Sequence, residues 1–255
     1  AIERAITTAL EIAKLMPPDE YNDLCSVSAK HISTEDKSGF CAAPYPVVEN
    51  YDQSGLEVSL EEKIELARSL DQSSRKFDPR VKRVRKSVFE EVSGETVMLD
   101  FNGEMIKHRA TVFGAELLCV SEQGSDAEMG YDSFSSNYFD QFDTKRMQDV
   151  AETAAKESLQ LLGGTLAPTM VCPAIFKNSV TAQLLSFLSA SFSAENIDKQ
   201  SSLLVGKLRE KLFADCITIV DDGLLANATG SSPFDGEGVP SRATTLVEHG
   251  MITNF

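Results

Sequence analysis

The feature that most constrains the fold is Asn102-Gly103, set between two long runs rich in β-branched residues. Upstream the chain reads VKRVRKSVFEEV and ETVMLDF; downstream it reads EMIKHRATVFGAELLCVSEQG. Asn and Gly both tolerate the positive φ of a type I′ turn, so the pattern predicts a β-hairpin. The turn signals around it extend this into an antiparallel meander from Val81 to about Ser133. The first run is ambiguous, because Val81, Val84, Val88 and Val92 also suit a helix. Its lack of caps and its thin apolar stripe favour a strand.

Helical patterns flank the meander. Ile2, Ile6, Ala9, Leu10 and Ala13 share one helical face over residues 1–16, and Pro17-Pro18 stops that helix. A loop-rich stretch follows to about Gly55. Ser59 and Glu62 form a capping box ahead of Leu60, Ile64, Ala67 and Leu70, which predicts a helix to about Arg75, before Asp78-Pro79. Asp143 caps a third helix carrying Met147, Val150, Ala151, Ala154 and Leu161, and Gly163-Gly164 ends it. That glycine pair is the expected domain boundary. Beyond it come a strand, TMVCPAIF, a helix from about Ser179 to Phe192, a polar stretch, SAENIDKQSS, and a β-rich region opening with CITIVDD. The expected fold class is therefore α+β: an N-terminal α/β domain with an antiparallel meander over 1–164, then the start of a β-rich C-terminal domain over 165–255. Ser193–Ser202 and Gly223–Asp235 are polar or Gly-rich with little to bury, and are the expected mobile stretches. At 255 residues and 42% hydrophobic content the chain can fill a packed core.

Composition excludes several function classes. No run of about 18 apolar residues occurs. The opening AIERAITTALEIAKLM is a charged amphipathic pattern rather than a signal peptide, so a soluble, cytoplasmic protein with no membrane partner is expected. Both ends fall inside predicted elements, which leads us to expect a fragment of a longer chain. The five cysteines, Cys25, Cys41, Cys119, Cys172 and Cys216, are odd in number and include no CxxC, which suggests a reducing compartment and no Cys-based zinc knuckle. A net charge of -15 repels phosphate backbones, so nucleic acid is not an expected direct partner.

The hydrolytic constellations fail in turn. There is no GxSxG and no HExxH, and the three histidines are scattered: His31 in a loop, His108 on a strand, His249 at a turn. The basic run RKFDPRVKRVRK, Arg75 to Lys86, alternates with valines and fits a strand with a solvated basic face better than a nucleic-acid site. Asn227-Ala228-Thr229 matches the glycosylation pattern by chance in an intracellular chain. Asp221-Asp222 and Phe234-Asp235-Gly236-Glu237-Gly238 gather carboxylates and glycines without EF-hand spacing, and acidic turns are the commoner outcome. From the residues alone this is a two-domain protein with no visible active site: no catalytic, cofactor-binding or metal-ligating residue is assigned, and no cofactor is expected.

The stretch SSPFDGEGVPSRATTLVEHGMITNF closely resembles a signature of the TldD/PmbA family, formerly called modulators of DNA gyrase. ARSLDQSSRKFDPRVKRVRKSVFEE, ELLCVSEQGSDAEMGYDS and SSLLVGKLREKLFADCITIVDD resemble further family blocks in family order, so the likeness runs from about Leu66 to Phe255. TldD-like members carry HExxxH on a helix after the first strand of the C-terminal domain, where two histidines bind zinc and the Glu can serve as general base. The equivalent stretch here is NSVTAQLLSFLSASFSAEN, and Val180 to Ala194 contains no His, Asp or Glu. The resemblance therefore implies the PmbA/TldE branch: a non-catalytic subunit of a TldD/TldE zinc metalloprotease acting on peptides or unfolded proteins. Its partner would be a TldD-like HExxxH subunit, or a second copy in a homodimer. Two other functions stay open: a stand-alone binding or regulatory protein of gyrase-modulator type, and a metallopeptidase with ligands outside this chain.

Overall fold

The computed structural model describes residues 2–16, 45–99 and 105–255. The predicted turn at Asn102-Gly103, the stop at Pro17-Pro18, most of the loop before Gly55, His31, Cys25 and Cys41 lie outside the described residues. The chain divides into two compact units. The first comprises Ala1–Pro46, Val97–Lys107 and Phe234–Pro240; the second comprises Val47–Thr96, His108–Pro233 and Ser241–Phe255.

In the first unit, α1 (Ile2–Leu15) matches the predicted helix and buries none of its residues. The acidic glycine loop forms a closed turn in the same unit. Asp235 Oδ1 accepts from the N–H of Glu237 and of Val239, each at 2.9 Å. The Tyr45 ring packs edge-on against Phe234, with centroids 5.7 Å apart, and its hydroxyl donates to the Gly238 carbonyl at 2.8 Å.

The second unit is an α+β assembly. A short helix, α2 (Gln53–Leu56), lies inside the stretch expected to be loop; the Asp52 carboxylate caps it, accepting from Gly55 N at 2.9 Å. The next helix, α3 (Leu60–Phe77), begins at the predicted cap, where Ser59 Oγ accepts from Glu62 N at 3.3 Å. It runs past Arg75 and stops before Asp78-Pro79, since the residue before proline avoids the helical region. Three antiparallel strands follow in the order β1-β2-β3: β1 (Val81–Leu99), β2 (Met105–Gln123) and β3 (Asp126–Ser136). The ambiguous first run is thus a strand, and the meander ends three residues past Ser133. The β2–β3 register runs from Phe113 opposite Ser136 to Gln123 opposite Asp126, with Gly124 turning at φ 63°.

The helix α4 (Thr144–Leu161) starts where Asp143 Oδ1 accepts from Arg146 N at 2.7 Å, and Gly163, at φ 74°, follows its end. α4 packs on β3 and on α3. Leu70, Phe113, Leu117, Met147 and Val150 fill the space between, each buried to within a few per cent of its surface. Burying one such side chain contributes about 1.5–3 kcal/mol. The close fit of α4 needs Gly130, because a Cβ there would lie 2.0 Å from the Ala154 carbonyl oxygen.

The C-terminal part of the same unit begins with an exposed, irregular segment, and here a prediction fails. TMVCPAIF is no strand: residues 169–176 belong to no named element, and Val171 and Ile175 are fully exposed. β-branched residues favour extended backbone, but a strand also needs a neighbour to bond with, and no strand pairs with this segment among the described residues. Pro173 removes one donor besides.

The helix α5 (Asn178–Ser189) and a 3-10 turn, Ala190–Phe192, occupy the predicted helix. SAENIDKQSS contains a further short helix, α6 (Ala194–Asp198), with Ser193 as its cap. The last sheet is β4 (Ile219–Asp222), β5 (Ala243–Glu248) and β6 (Met251–Ile252), antiparallel in that order. CITIVDD therefore contributes only its second half. His249 at φ 46° and Gly250 at φ 82° make the tight β5–β6 turn. A small core of Phe192, Leu204, Val247 and Ile252 joins helix to sheet. Among the described residues no helix is long and apolar enough to cross a membrane.

Candidate functional site

The C-terminal part contains a cleft of about 490 Å³ between the end of α5 and the β4–β5 face. The large apolar side chains of α5, Val180, Leu184, Leu185, Phe187 and Leu188, share one broad side of the helix, and the small sheet covers only part of it. Leu185 and Leu188 line the cleft, while Leu184 and Phe187 stay exposed. Phe192, Ile219, Leu246 and Phe255 complete an apolar floor that is continuous with the small core. Ser189, Asp221, Arg242, Thr244 and Asn254 supply polar groups to the same cleft. β4 bonds to β5 on one side only, through pairs such as Val220 with Thr245, and its other edge has no strand neighbour among the described residues. An open strand edge beside an apolar trough suits an extended chain, held by main-chain hydrogen bonds with a side chain in the trough.

The sequence candidates are dispersed. Asp235 serves its own loop, and Asp222 Oδ1 accepts from Leu224 N at 2.9 Å, so both carboxylates brace turns. His108 lies half-buried on β2, where burial lowers its pKa. His249 sits in the β5–β6 turn, with Nδ1 3.4 Å from the Asp215 carbonyl oxygen. Among the described residues no three His, Cys, Asp or Glu side chains gather where they could hold a metal ion. The α5 stretch, where the resemblance implies a zinc site in other members, offers only apolar, hydroxyl and amide groups. These residues do not fit zinc.

The basic run is largely ion-paired, as a solvated strand face would be. Arg83 meets Glu122 at 2.6 Å, Lys86 meets Glu116 at 2.7 Å, and Arg80 meets Asp78 at 2.9 Å. Hydrogen bonds from Arg80 pull the Asp78 carboxyl down to about 2. Burial raises the pKa of the Cys119 thiol, which packs 3.8 Å from Ser158 Oγ, so it is a core group and not a nucleophile.

One polar cluster has no sequence signal. Thr111 Oγ1 accepts from Asp52 N at 2.9 Å and donates to the Asn137 carbonyl at 2.7 Å, and Asn50 Nδ2 donates to the Ser231 carbonyl at 2.9 Å. Burial works to raise the Asp52 carboxyl, but hydrogen bonds from the Ser54 hydroxyl and from Phe139 and Gly55 N–H outweigh it and hold the group below the usual carboxylate range. The cluster ties together segments far apart in the chain. It holds the fold and supplies no reacting pair.

Residues 54–162 match the family described as the PmbA/TldA metallopeptidase central domain, and residues 169–255 match its C-terminal domain. The chain belongs to the PmbA/TldD family. The metalloprotease PmbA of Escherichia coli O157:H7 is 24% identical over 255 residues, covering 100% of this chain and 53% of the relative. The chain thus spans about half the length of the curated PmbA relatives it matches. Among solved structures, a Thermotoga maritima protein named as a modulator of a DNA gyrase superimposes with a TM-score of 0.78 at 22% identity, over 86% of this chain and 51% of that one. TldE from Thermococcus kodakarensis gives 0.68 at 22% identity, over 100% and 54%. The α+β architecture is therefore that of PmbA/TldD structures, and the whole α5–β4–β5 cleft lies within the C-terminal PmbA/TldD match.

Proposed function

We propose that this chain is a non-catalytic, PmbA/TldE-type subunit of a cytoplasmic TldD/TldE zinc metalloprotease acting on peptides or unfolded proteins. One observation carries the reading: α5, at the position where the resemblance puts the HExxxH helix, has no His, Asp or Glu from Val180 to Ala194. A zinc peptidase needs the metal to polarise the scissile carbonyl and activate water, and neither effect can be built on leucines and serines. What remains is binding. The open β4 edge and the Leu188–Phe192 trough would help hold an extended peptide for a TldD-like partner, with little dependence on its sequence. A division at Gly163-Gly164 belongs to the same reading. It is supported by family matches that end at 162 and resume at 169, although both stretches share the larger compact unit.

The test is cleavage of an unfolded peptide by the full-length protein, by a TldD-like counterpart and by their mixture, each with and without a chelator. The mixture should exceed the counterpart alone, and the full-length protein alone should be inactive. Chelator-sensitive cleavage by the full-length protein alone would refute the reading. A mixture no more active than the counterpart would put the stand-alone binding protein ahead.

A further inference from the structure

We infer that a pocket between residues 47–50, Tyr138 and residues 224–231 binds a primary ammonium on an aliphatic stem, the group that a lysine side chain and a free alkylamine share. The pocket holds about 390 Å³, room for a small organic ligand, and shares no lining residue with the α5–β4 cleft.

Asn50 lines this pocket and is 2% exposed. Its Nδ2 donates to the Ser231 carbonyl at 2.9 Å, and its own carbonyl accepts from Thr111 N at 2.9 Å, so both ends of the residue are held. A carbonyl can only accept, so the side-chain amide cannot turn over, and Oδ1 is the atom left without Ser231. No donor reaches Oδ1 among the described residues. Buried acceptors are nearly always answered by a donor, so one left open in a residue that lines a pocket calls for a donor from the occupant.

Glu49 sets the charge of that occupant. It is the one carboxylate on the wall, and no Lys, Arg or His stands there among the described residues. The residue is exposed and its carboxylate makes no ion pair among the described residues, while its backbone is fixed by the Tyr138 hydroxyl, which donates to the Glu49 carbonyl at 2.8 Å. Val48, Leu224, Leu225 and Ala228 make the rest of the wall apolar. The loop that carries three of them falls in a stretch whose sequence predicts mobility, yet it is folded on itself. Ser231 Oγ donates to the Leu225 carbonyl at 2.7 Å, Ala228 N donates to the same carbonyl at 3.3 Å, and Asp222 Oδ1 holds Leu224 N at 2.9 Å. An ammonium brings donors for Asn50, charge for Glu49 and an apolar stem for the wall. An anion meets only acceptors here, and an alcohol leaves Glu49 unanswered.

The test is methyl NMR of the full chain titrated with n-pentylammonium chloride at physiological ionic strength. The Val48, Leu224 and Leu225 methyls should shift together and saturate at one ligand per chain, and n-pentanol and pentanoate at the same concentrations should leave them in place. E49Q should weaken binding about threefold to fivefold, the upper range for an exposed charge pair. A228L adds bulk to the wall and should abolish binding, with circular dichroism showing that each variant is folded. Because Asn50→Leu would also break the bond to Ser231, E49Q and A228L carry the test. Nα-acetyl-lysine N-methylamide identifies the source: the same shifts assign the pocket to lysines of a polypeptide, and their absence, with pentylammonium bound, assigns it to free alkylamines. Shifts that never saturate, or that scatter over the surface, mean only general attraction of a cation to a chain of charge -15 and overturn the proposal. Pentanol binding as tightly as the ammonium, or undiminished binding in E49Q or A228L, overturns it too. None of these readouts depends on peptide cleavage, so this proposal and the peptidase reading fail separately.

Discussion

The layer built from α3, β1–β3 and α4 and the layer built from α5, α6 and β4–β6 solve the same problem with different completeness. In the first, two helices cover one sheet face, and Leu70, Phe113, Leu117, Ala151 and Ala154 are fully buried. In the second, α5 buries none of its residues, the core reduces to Phe192, Leu204, Val247 and Ile252, and Val171, Ile175 and Phe187 face solvent. The first layer has the composition of a self-sufficient core. The second displays apolar surface beside an open strand edge, which is what a binding surface requires and a stable core avoids.

The sharpest way to break this comparison is Gly130→Val. Its Cβ would overlap the Ala154 carbonyl oxygen, so α4 must lift off β3. The expected loss is about 3 kcal/mol or more, read as a fall in the urea midpoint. A change below 1 kcal/mol, as an order of magnitude for a tolerated swap, would mean that the α4–β3 packing is not what holds the layer.

Gly250→Ala should do less and act locally. Gly250 has φ 82°, and a Cβ there would come within 2.3 Å of the Phe213 carbonyl oxygen, so the turn is strained at a cost of about 1–3 kcal/mol. Hydrogen exchange should quicken in β5 and β6 and stay unchanged in β2. Equal acceleration in β2 would show that the two layers unfold as one.

Asp143→Ala removes the acceptor for Arg146 N and should cost about 1 kcal/mol, seen as a small fall in Tm with the exchange change confined to the first turn of α4.

The smallest expected effect is a pH dependence of opposite sign at two carboxylates. Asp52 has a folded pKa below its ordinary 3.8, so its contribution is present at neutral pH and is lost as pH falls below about 4. Burial raises the Asp132 carboxyl, so the folded state there takes up its proton first, and that group favours folding as pH falls. Acid titrations of stability should therefore show a shallower loss in Asp52→Asn than in the wild type. A steeper loss would reverse the assignment.

Much of the first layer was legible because its signals are local. Ser59 and Asp143 declare helix starts by what their side chains can reach within three residues, and the β-branched runs around Asn102-Gly103 declare strands. Of the candidate site the sequence displayed only the apolar and hydroxyl character of Val180 to Phe192. Its shape was not legible. Leu188, Ile219 and Leu246 carry no mark of a shared cleft, and Asn50, Asp52, Thr111 and Asn137 carry none of a shared hydrogen-bond cluster. TMVCPAIF failed because residue preference fixes only how extended a segment wants to be, while strand formation depends on a neighbour elsewhere in the chain.

The sequence by itself determined the helix caps, the antiparallel meander, the family and the lack of His, Asp and Glu on α5, since each depends on residues within a few positions of one another or on plain chemical identity. Only the tertiary structure decided that β4 has no strand neighbour on its outer edge among the described residues, and where the α5–β4 cleft lies. Those are properties of pairing between distant segments, and backbone hydrogen bonds carry no record of their partners in the residues that make them.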